Sequence, residues 1–280
     1  MGDPINDKCG EMFSVRGKVT AITGAGGVLC GGMARAMAAL GAKVAVMDLR
    51  EDAAKSVSDQ IAKDGGKALA VAANVLERKS LDEAMKKIND TLGHVDILIN
   101  GAGGNHKMAT TSDTLEVFDI PADAVQFVFN LNCLGTILPS QVFGKPMAKK
   151  KEGVILNVAS MNAYRPLTKV PAYSAAKAAV ANFTQWLATH MARNYSVKIR
   201  VNALAPGFFL TEQNRFLLTE EKTGKLTARG KAIIDHTPMG RFGEAADLVG
   251  TVVWLCSPAS AFVTGAVIAI DGGYSAYSGV

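Results

Sequence analysis

Short runs of β-branched and aliphatic residues alternate with segments of helical periodicity from Lys18 almost to the C-terminus, and this alternation constrains the fold more than any other feature. Continuous apolar runs of this kind suit parallel strands that crossover helices cover on both faces. The pattern predicts strands at residues 18–23, 43–48, 67–72, 95–100, 153–159, 198–204 and 266–270. Helices are expected over 31–40, 51–62, 79–92, 125–148, 172–193 and 245–255. Seven strands without a linker-like break read as one α/β domain, residues 15–280, preceded by an extension at 1–14. Right-handed crossovers give a Rossmann-type doubly wound parallel sheet in the order 3-2-1-4-5-6-7, with helices on both faces. Ligands of such sheets bind at the carboxyl edge, where the order reverses. The irregular stretches 103–122 and 207–237 leave that edge and read as substrate loops.

Composition removes several other classes. With 49% apolar and 20% charged residues in 280, the chain is neither disordered nor collagen-like. No apolar run approaches the roughly 18 residues of a membrane helix. Asp3, Asp7 and Glu11 stand where a signal peptide would be apolar, so a cytoplasmic protein is expected. Cys9, Cys30, Cys133 and Cys256 form no CxxC pair, so neither a metal site nor a disulfide framework is expected. The net charge is +5, but the one basic cluster, Lys145, Lys149, Lys150 and Lys151, falls at the end of a predicted helix, where cations complement the dipole. It lacks interleaved aromatics, and no nucleic-acid partner is expected.

The first strand runs directly into Thr23-Gly24-Ala25-Gly26-Gly27-Val28-Leu29, and a helix follows. Glycines there let the backbone approach a pyrophosphate, whose charge the free N–H groups and positive dipole end of the helix favour. A tight turn without a ligand is the plain alternative for this segment alone. The second strand ends at Asp48, 24 residues after Gly24. Its carboxylate can accept hydrogen bonds from ribose hydroxyls and would repel a 2′-phosphate, which favours NAD over NADP. Arg50 could offset part of that repulsion. Asn74-Val75 and Asn100-Gly101-Ala102-Gly103 end strands three and four, where adenine and the nicotinamide ribose would lie. Either segment alone could be an ordinary turn.

Tyr173 and Lys177 are spaced i, i+4 at the start of a long helix and share one face. Bringing a phenol from its usual pKa of about 10 to near 7 takes roughly 4 kcal/mol. An ammonium about 6 Å away supplies roughly 2.8 kcal/mol at an effective dielectric near 20, and an oxidised nicotinamide would add to it. Taken alone, such a pair could equally be surface neighbours. Location favours chemistry: strand five ends at Ser160, 13 residues before Tyr173, on the same edge. Ser160 can polarise a carbonyl, and Asn132 could hold a water linking Lys177 to solvent or simply bond to backbone.

Thr23 to Leu29, Asn100 to Gly103, Asn132, Ser160, Tyr173 with Lys177, Pro206-Gly207 and Asp271-Gly272-Gly273 together resemble the ordered motif set of the short-chain dehydrogenase/reductase family. The resemblance implies that Tyr173 is the catalytic acid/base, that Ser160 orients the carbonyl and that Asn132 holds a relay water. It implies that Lys177 binds the nicotinamide ribose and lowers the Tyr173 pKa. The implied cofactor set is Gly24, Gly26, Gly27, Leu29, Asp48, Leu49, Asn74, Val75, Asn100, Gly101, Ala102, Tyr173, Lys177, Pro206, Gly207, Phe209 and Thr211. Two departures stand out. Val28 and Cys30 occupy usual glycine positions of the first turn, and Gly101 replaces the second Asn of the usual Asn-Asn-Ala-Gly run. Asn74 also stands where the family usually has an acid.

Within the family, the segments from Asn100 to His106, Ser160 to Ala163, Pro166 to Pro171, Ala205 to Arg215 and Tyr274 to Val280 are similar to the D-mannonate/D-fructuronate oxidoreductase branch. A hexonate needs a cation and several hydrogen-bonding groups. His106, Ser160, Asn162, Arg165 and Gln213 are the substrate candidates, and each loop residue among them could instead stabilise its loop. Lys169, Asn214 and Arg215 offer similar groups. Arg241 is expected to brace the helix that follows it. The implied activity is reversible hydride transfer between NAD and a sugar-acid secondary alcohol, with another polyol, ketose or gluconate as the alternative substrate. A nucleotide-binding regulator or scaffold without catalysis is the alternative of another class. The family also implies a homotetramer, and the apolar face of Phe183, Trp186 and Leu187 is compatible with an interface or with ordinary core.

Overall fold

The computed structural model describes residues 9–211, 215, 218–220 and 223–279. Its sheet contains β1 (Val19–Thr23), β2 (Lys43–Asp48), β3 (Lys67–Ala72), β4 (Ile97–Asn100), β5 (Gly153–Val158), β6 (Ile199–Pro206) and β7 (Val267–Ile270). All neighbours pair in parallel, in the order β3-β2-β1-β4-β5-β6-β7. The described helices are α1 (Cys9–Met12), α2 (Val28–Ala39), α3 (Glu51–Lys63), α4 (Arg78–Thr91), α5 (Ala122–Phe129) and α6 (Gly135–Lys150). They continue with α7 (Pro171–Asn194), α8 (Ala228–Asp235) and α9 (Ala245–Cys256). None of them is long and apolar enough to cross a membrane.

Side chains alternate across a strand, so each central strand feeds two cores. Ala21, Ala45, Leu98 and Ile155 pack with Leu81 and Ile88 of α4, Phe143 and Met147 of α6 and Met191 of α7. Ile22, Val44, Val46, Ile97, Ile99 and Leu156 face the other way, against Met33 and Met37 of α2 and Leu248 and Val252 of α9. Each fully buried aliphatic side chain of this kind contributes roughly 1.5–3 kcal/mol. The sheet edge that carries the site is thus fixed by cores on both faces.

Two expectations need correction. The helix predicted over 125–148 is α5 and α6 joined by a π-helical turn, Asn130–Leu134. Asn132 explains the widening, because its side-chain Nδ2 donates to the Val128 carbonyl at 2.8 Å, which an α-helix would reserve for the residue's own N–H. The stretch 207–237 is not wholly irregular, since it contains α8, whose start is capped by Thr227 Oγ1 accepting from the Gly230 N–H at 3.0 Å. The stretch 103–122 is mostly loop, with 3₁₀ turns at Lys107–Ala109 and Val117–Asp119. Lys149 and Lys150 do end α6, and Lys150 pairs with Asp96 at 2.7 Å.

Candidate active site

The turns after β1 and β4 are stitched together by one buried hydroxyl. Thr23 Oγ1 accepts from the N–H groups of Gly101 at 3.1 Å and Ala102 at 3.2 Å. Helix α2 then starts at Gly27 without a side-chain cap, so no side chain competes for its first N–H groups. Beside this turn, Asp48 closes β2 and accepts from the Gly26 N–H through Oδ2 and the Arg50 N–H through Oδ1, both at 3.0 Å. Leu49 next to it is exposed. Across the order β2-β1-β4-β5, the edge therefore presents an acid, an uncapped helix start, two backbone turns and then Ser160.

The Asn74 side chain and the amide nitrogen of Asn100 are committed to the protein, while the buried Asn100 Oδ1 has no partner among the described residues. The Asn74 amide donates to Glu77 Oε1 at 2.8 Å and its Oδ1 accepts from the Leu76 N–H at 3.0 Å, which holds the turn before α4 together. Val75 beside it is buried. Asn100 is 1% exposed, and its Nδ2 donates to Ser140 Oγ at 2.9 Å and to Asn157 Oδ1 at 2.8 Å. Asn157 in turn donates to Thr184 Oγ1 on α7 at 2.9 Å. This buried ladder ties β4, β5, α6 and α7 beneath the edge. The ladder was not read from the sequence, although two asparagines in otherwise apolar strands are a visible signal, and they are cross-strand partners.

The candidate proton-handling groups converge around Gly103. A Cβ at that residue would lie 2.7 Å from Asn132 Oδ1 and 3.2 Å from Lys177 Nζ, so the missing side chain lets both approach the backbone. Asn132 is fully buried, donates to the Gly104 carbonyl at 2.7 Å and accepts from the Gly104 N–H at 3.2 Å. Lys177 Nζ donates to the Val158 carbonyl at 2.7 Å and lies 5.6 Å from the centroid of the Tyr173 ring. Ser160, at the end of β5, accepts from the Asn162 N–H through Oγ at 3.2 Å and lies close enough to the Tyr173 phenol to pull its pKa down. Pro171 at the first position of α7 presets the helix that carries Tyr173 and Lys177 on one face.

Burial sets the protonation of this group. It pushes the Lys177 ammonium down to about 8. It also raises the Tyr173 phenol above its ordinary value, with the Ser160 hydrogen bond pulling the other way. The expectation that Lys177 lowers the Tyr173 pKa concerns the site with its oxidised cofactor, whose positive nicotinamide would act beside the ammonium. In the chain alone, burial outweighs the Ser160 hydrogen bond on the phenol, and the Lys177 ammonium donates to Val158.

The remaining candidates divide. Asn162 is buried and its amide donates to Ser174 Oγ at 3.4 Å, so it braces the β5–α7 connection. His106 packs on Phe127 with ring centroids 5.2 Å apart and accepts from the Met108 N–H at 3.2 Å. Arg165 is exposed on the β5–α7 connection. Gln213 lies outside the described residues. Pro206 ends β6, the Gly207 N–H donates to the Ile270 carbonyl at 2.9 Å, and Phe209 is buried against Gly243. Arg241 does brace α9, through Nη1 and Nη2 to Asp247 at 2.7 and 2.8 Å.

A doubly wound sheet with an uncapped helix start, an acid on the next strand and a Ser, Tyr and Lys set at the same edge defines a dinucleotide-dependent oxidoreductase. The donor chemistry fits such a cofactor: the start of α2 for the pyrophosphate, Asp48 for ribose hydroxyls and Lys177 for the second ribose. The family model described as enoyl-(acyl carrier protein) reductase matches residues 26–275. The chain belongs to the short-chain dehydrogenase/reductase family and is an oxidoreductase of CH–OH groups. It is 48% identical over 276 residues to the uncharacterized oxidoreductase UxuB of Bacillus subtilis, covering 95% of this chain and 98% of that one. A Haemophilus influenza structure with bound NAD, provisionally named a D-mannonate oxidoreductase, is 47% identical with a TM-score of 0.88, covering 95% and 98% of the two chains. A gluconate 5-dehydrogenase from Burkholderia cenocepacia, in complex with NADP and tartrate, is 28% identical with a TM-score of 0.83 and coverage of 95% and 98%. Both nicotinamide cofactors therefore occur among its structural relatives.

Proposed function

We propose that the protein interconverts a sugar-acid secondary alcohol and its ketone, D-mannonate and D-fructuronate, with NAD as the preferred cofactor. The observation that carries the reaction is the convergence of Ser160, Tyr173, Lys177 and Asn132 at one sheet edge. NAD supplies the hydride acceptor in oxidation, and NADH the donor in reduction. Ser160 hydrogen-bonds the reacting oxygen. Tyr173 takes the hydroxyl proton as hydride leaves the carbon, and returns it in the reverse direction. The proton then passes towards solvent by way of Lys177 and a water held at Asn132.

Asp48 supports NAD, because a carboxylate at the end of β2 would accept from ribose hydroxyls and would repel a 2′-phosphate. The cofactor-binding set includes Thr23, which holds the two turns, with the backbone of Gly24, Gly26, Gly27, Leu29, Gly101 and Ala102. His106 and Arg165 are the described substrate contacts we favour. The provisional name of the Haemophilus relative supports the sugar acid, whereas the gluconate enzyme favours a second hexonate as the alternative. We read the assembly as a homotetramer and its compartment as the cytoplasm, in keeping with free thiols at Cys30, Cys133 and Cys256.

The test is NADH oxidation with D-fructuronate beside 5-ketogluconate, ketoses and simple ketones, each repeated with NADPH. Selective turnover of D-fructuronate with NADH is expected. Preference for another carbonyl discards the substrate, preference for NADPH discards the cofactor assignment, and no turnover with tight NADH binding returns the scaffold reading.

A further inference from the structure

The C-terminal tail beyond β7 has no part in the chemistry above, yet the fold winds it into a defined shape. Asp271 accepts from the Gly273 N–H at 3.0 Å and from the Ser275 N–H at 2.9 Å, and the Tyr277 N–H donates to the Gly273 carbonyl at 3.1 Å. These bonds project Tyr274 and Tyr277 from one compact turn. The Tyr274 ring meets two others edge-on: Phe208 at 5.1 Å and His236 at 4.7 Å between centroids. Tyr277 adds a second contact to His236 at 5.1 Å.

The partners of Tyr274 are far apart in sequence and adjacent in function. Phe208 follows Pro206-Gly207 at the carboxyl end of β6, where the connection to α8 begins. His236 is the residue that closes α8. One side chain thus joins the start and the end of the stretch read as a substrate loop. Backbone bonds flank the clasp, from the Gly243 N–H to the Phe208 carbonyl at 2.9 Å and from the Met239 N–H to the Gly272 carbonyl at 3.1 Å. Arg229 of α8 is also close enough to Tyr274 to oppose the upward push of burial on its phenol.

We propose that Tyr274 is a positioning residue that sets substrate affinity by clasping Phe208 and His236, and so holding α8 at the reaction edge. Among the described residues its ring contacts run to Phe208 and His236 and not to Ser160, Tyr173 or Lys177, so its effect reaches substrate through the loop. This rests on the hydride-transfer reading only for its kinetic consequence; the clasp itself is a property of the folded chain.

The experiment compares wild type with Tyr274→Ala, Tyr274→Phe and His236→Ala by hydrogen exchange of α8 peptides, with β4 and β5 peptides as internal references. Tyr274→Ala should speed α8 exchange about tenfold, the size expected for losing two edge-on ring contacts. The references and the NADH Kd should stay unchanged. Tyr274→Phe keeps the rings and should match wild type. For the carbonyl substrate that turns over, KM should rise about tenfold in Tyr274→Ala, with kcat within about twofold. Unchanged α8 exchange in Tyr274→Ala overturns the proposal, as does Tyr274→Phe behaving like Tyr274→Ala. Should Tyr274→Ala loosen the reference strands as well, His236→Ala cuts the same clasp from the loop side and decides by the same two results. Failure of the sugar-acid reading leaves the exchange result standing.

Discussion

Cys30 and Gly101 share one volume between them. Cys30 sits where the family's first turn carries glycine, and a Cβ on Gly101 would come within bonding distance of its sulfur. The two departures from the family pattern are therefore one exchange of bulk, moved from the β4 turn to α2. Gly101→Asn should overpack this niche and cost about 1–3 kcal/mol in urea unfolding. Cys30→Gly in the same chain should recover part of that loss, the close approach to the Thr23 carbonyl remaining, and a double-mutant cycle with no coupling would contradict the exchange. Lys177 gives a second prediction at this scale. Its folded pKa of about 8 lies below the ordinary 10.5, so between those values the unfolded chain holds a proton that the folded chain has released. Stability gained from relieving the buried charge therefore rises with pH across that window, by about 3 kcal/mol in all. Denaturant unfolding of Lys177→Met, set against wild type from pH 7 to 10, should show the wild type gaining relative to the variant as pH rises. A constant difference would mean that the ammonium is not desolvated.

The elements were legible to different degrees, for physical reasons. Strand β2 matches the predicted bounds because burial on both faces leaves an uninterrupted apolar run between helical patterns, and the edge strand β3 matches them too although only its Val71 is buried. The π turn at Asn132 was not legible, since it arises from one side chain competing for a carbonyl within a continuous helical pattern. Helix α8 was hidden by its length, two turns with only Gly230 and Ile233 buried, which leaves little periodicity to read. Its Thr227 cap was the available signal. The convergence of Ser160, Tyr173 and Lys177 at one edge was legible by spacing, but their desolvation was not, because it depends on neighbours distant in sequence. At α9, Glu244 and Asp247 form a reciprocal capping box, and Arg241 locks it from outside. Glu244→Ala should cost about 1 kcal/mol in urea unfolding. A change within error would show that Asp247 holds the helix start alone.

Across the whole molecule, helices α6 and α7 leave an apolar groove of about 590 Å³, lined by Phe183, Trp186, Leu187 and Met191 among others. Trp186 is 57% exposed, although it stacks on His190 at 4.8 Å. A tryptophan this open on an apolar face suits contact with a second copy. Light scattering should find four chains in the wild type and fewer in Trp186→Glu, whose new carboxylate could not be buried there. A monomeric wild type would reject the assembly.

The site stands or falls on the phenol at Tyr173, held between Ser160 and Lys177 on the edge that the sheet order prepares. The decisive measurement is the steady-state reduction of D-fructuronate by NADH with wild type and Tyr173→Phe, paired with NADH affinity for both. In Tyr173→Phe, kcat should fall by about 10²–10⁴-fold while the NADH Kd is unchanged. Full activity in Tyr173→Phe would contradict it, because the proton would then be moving through another group.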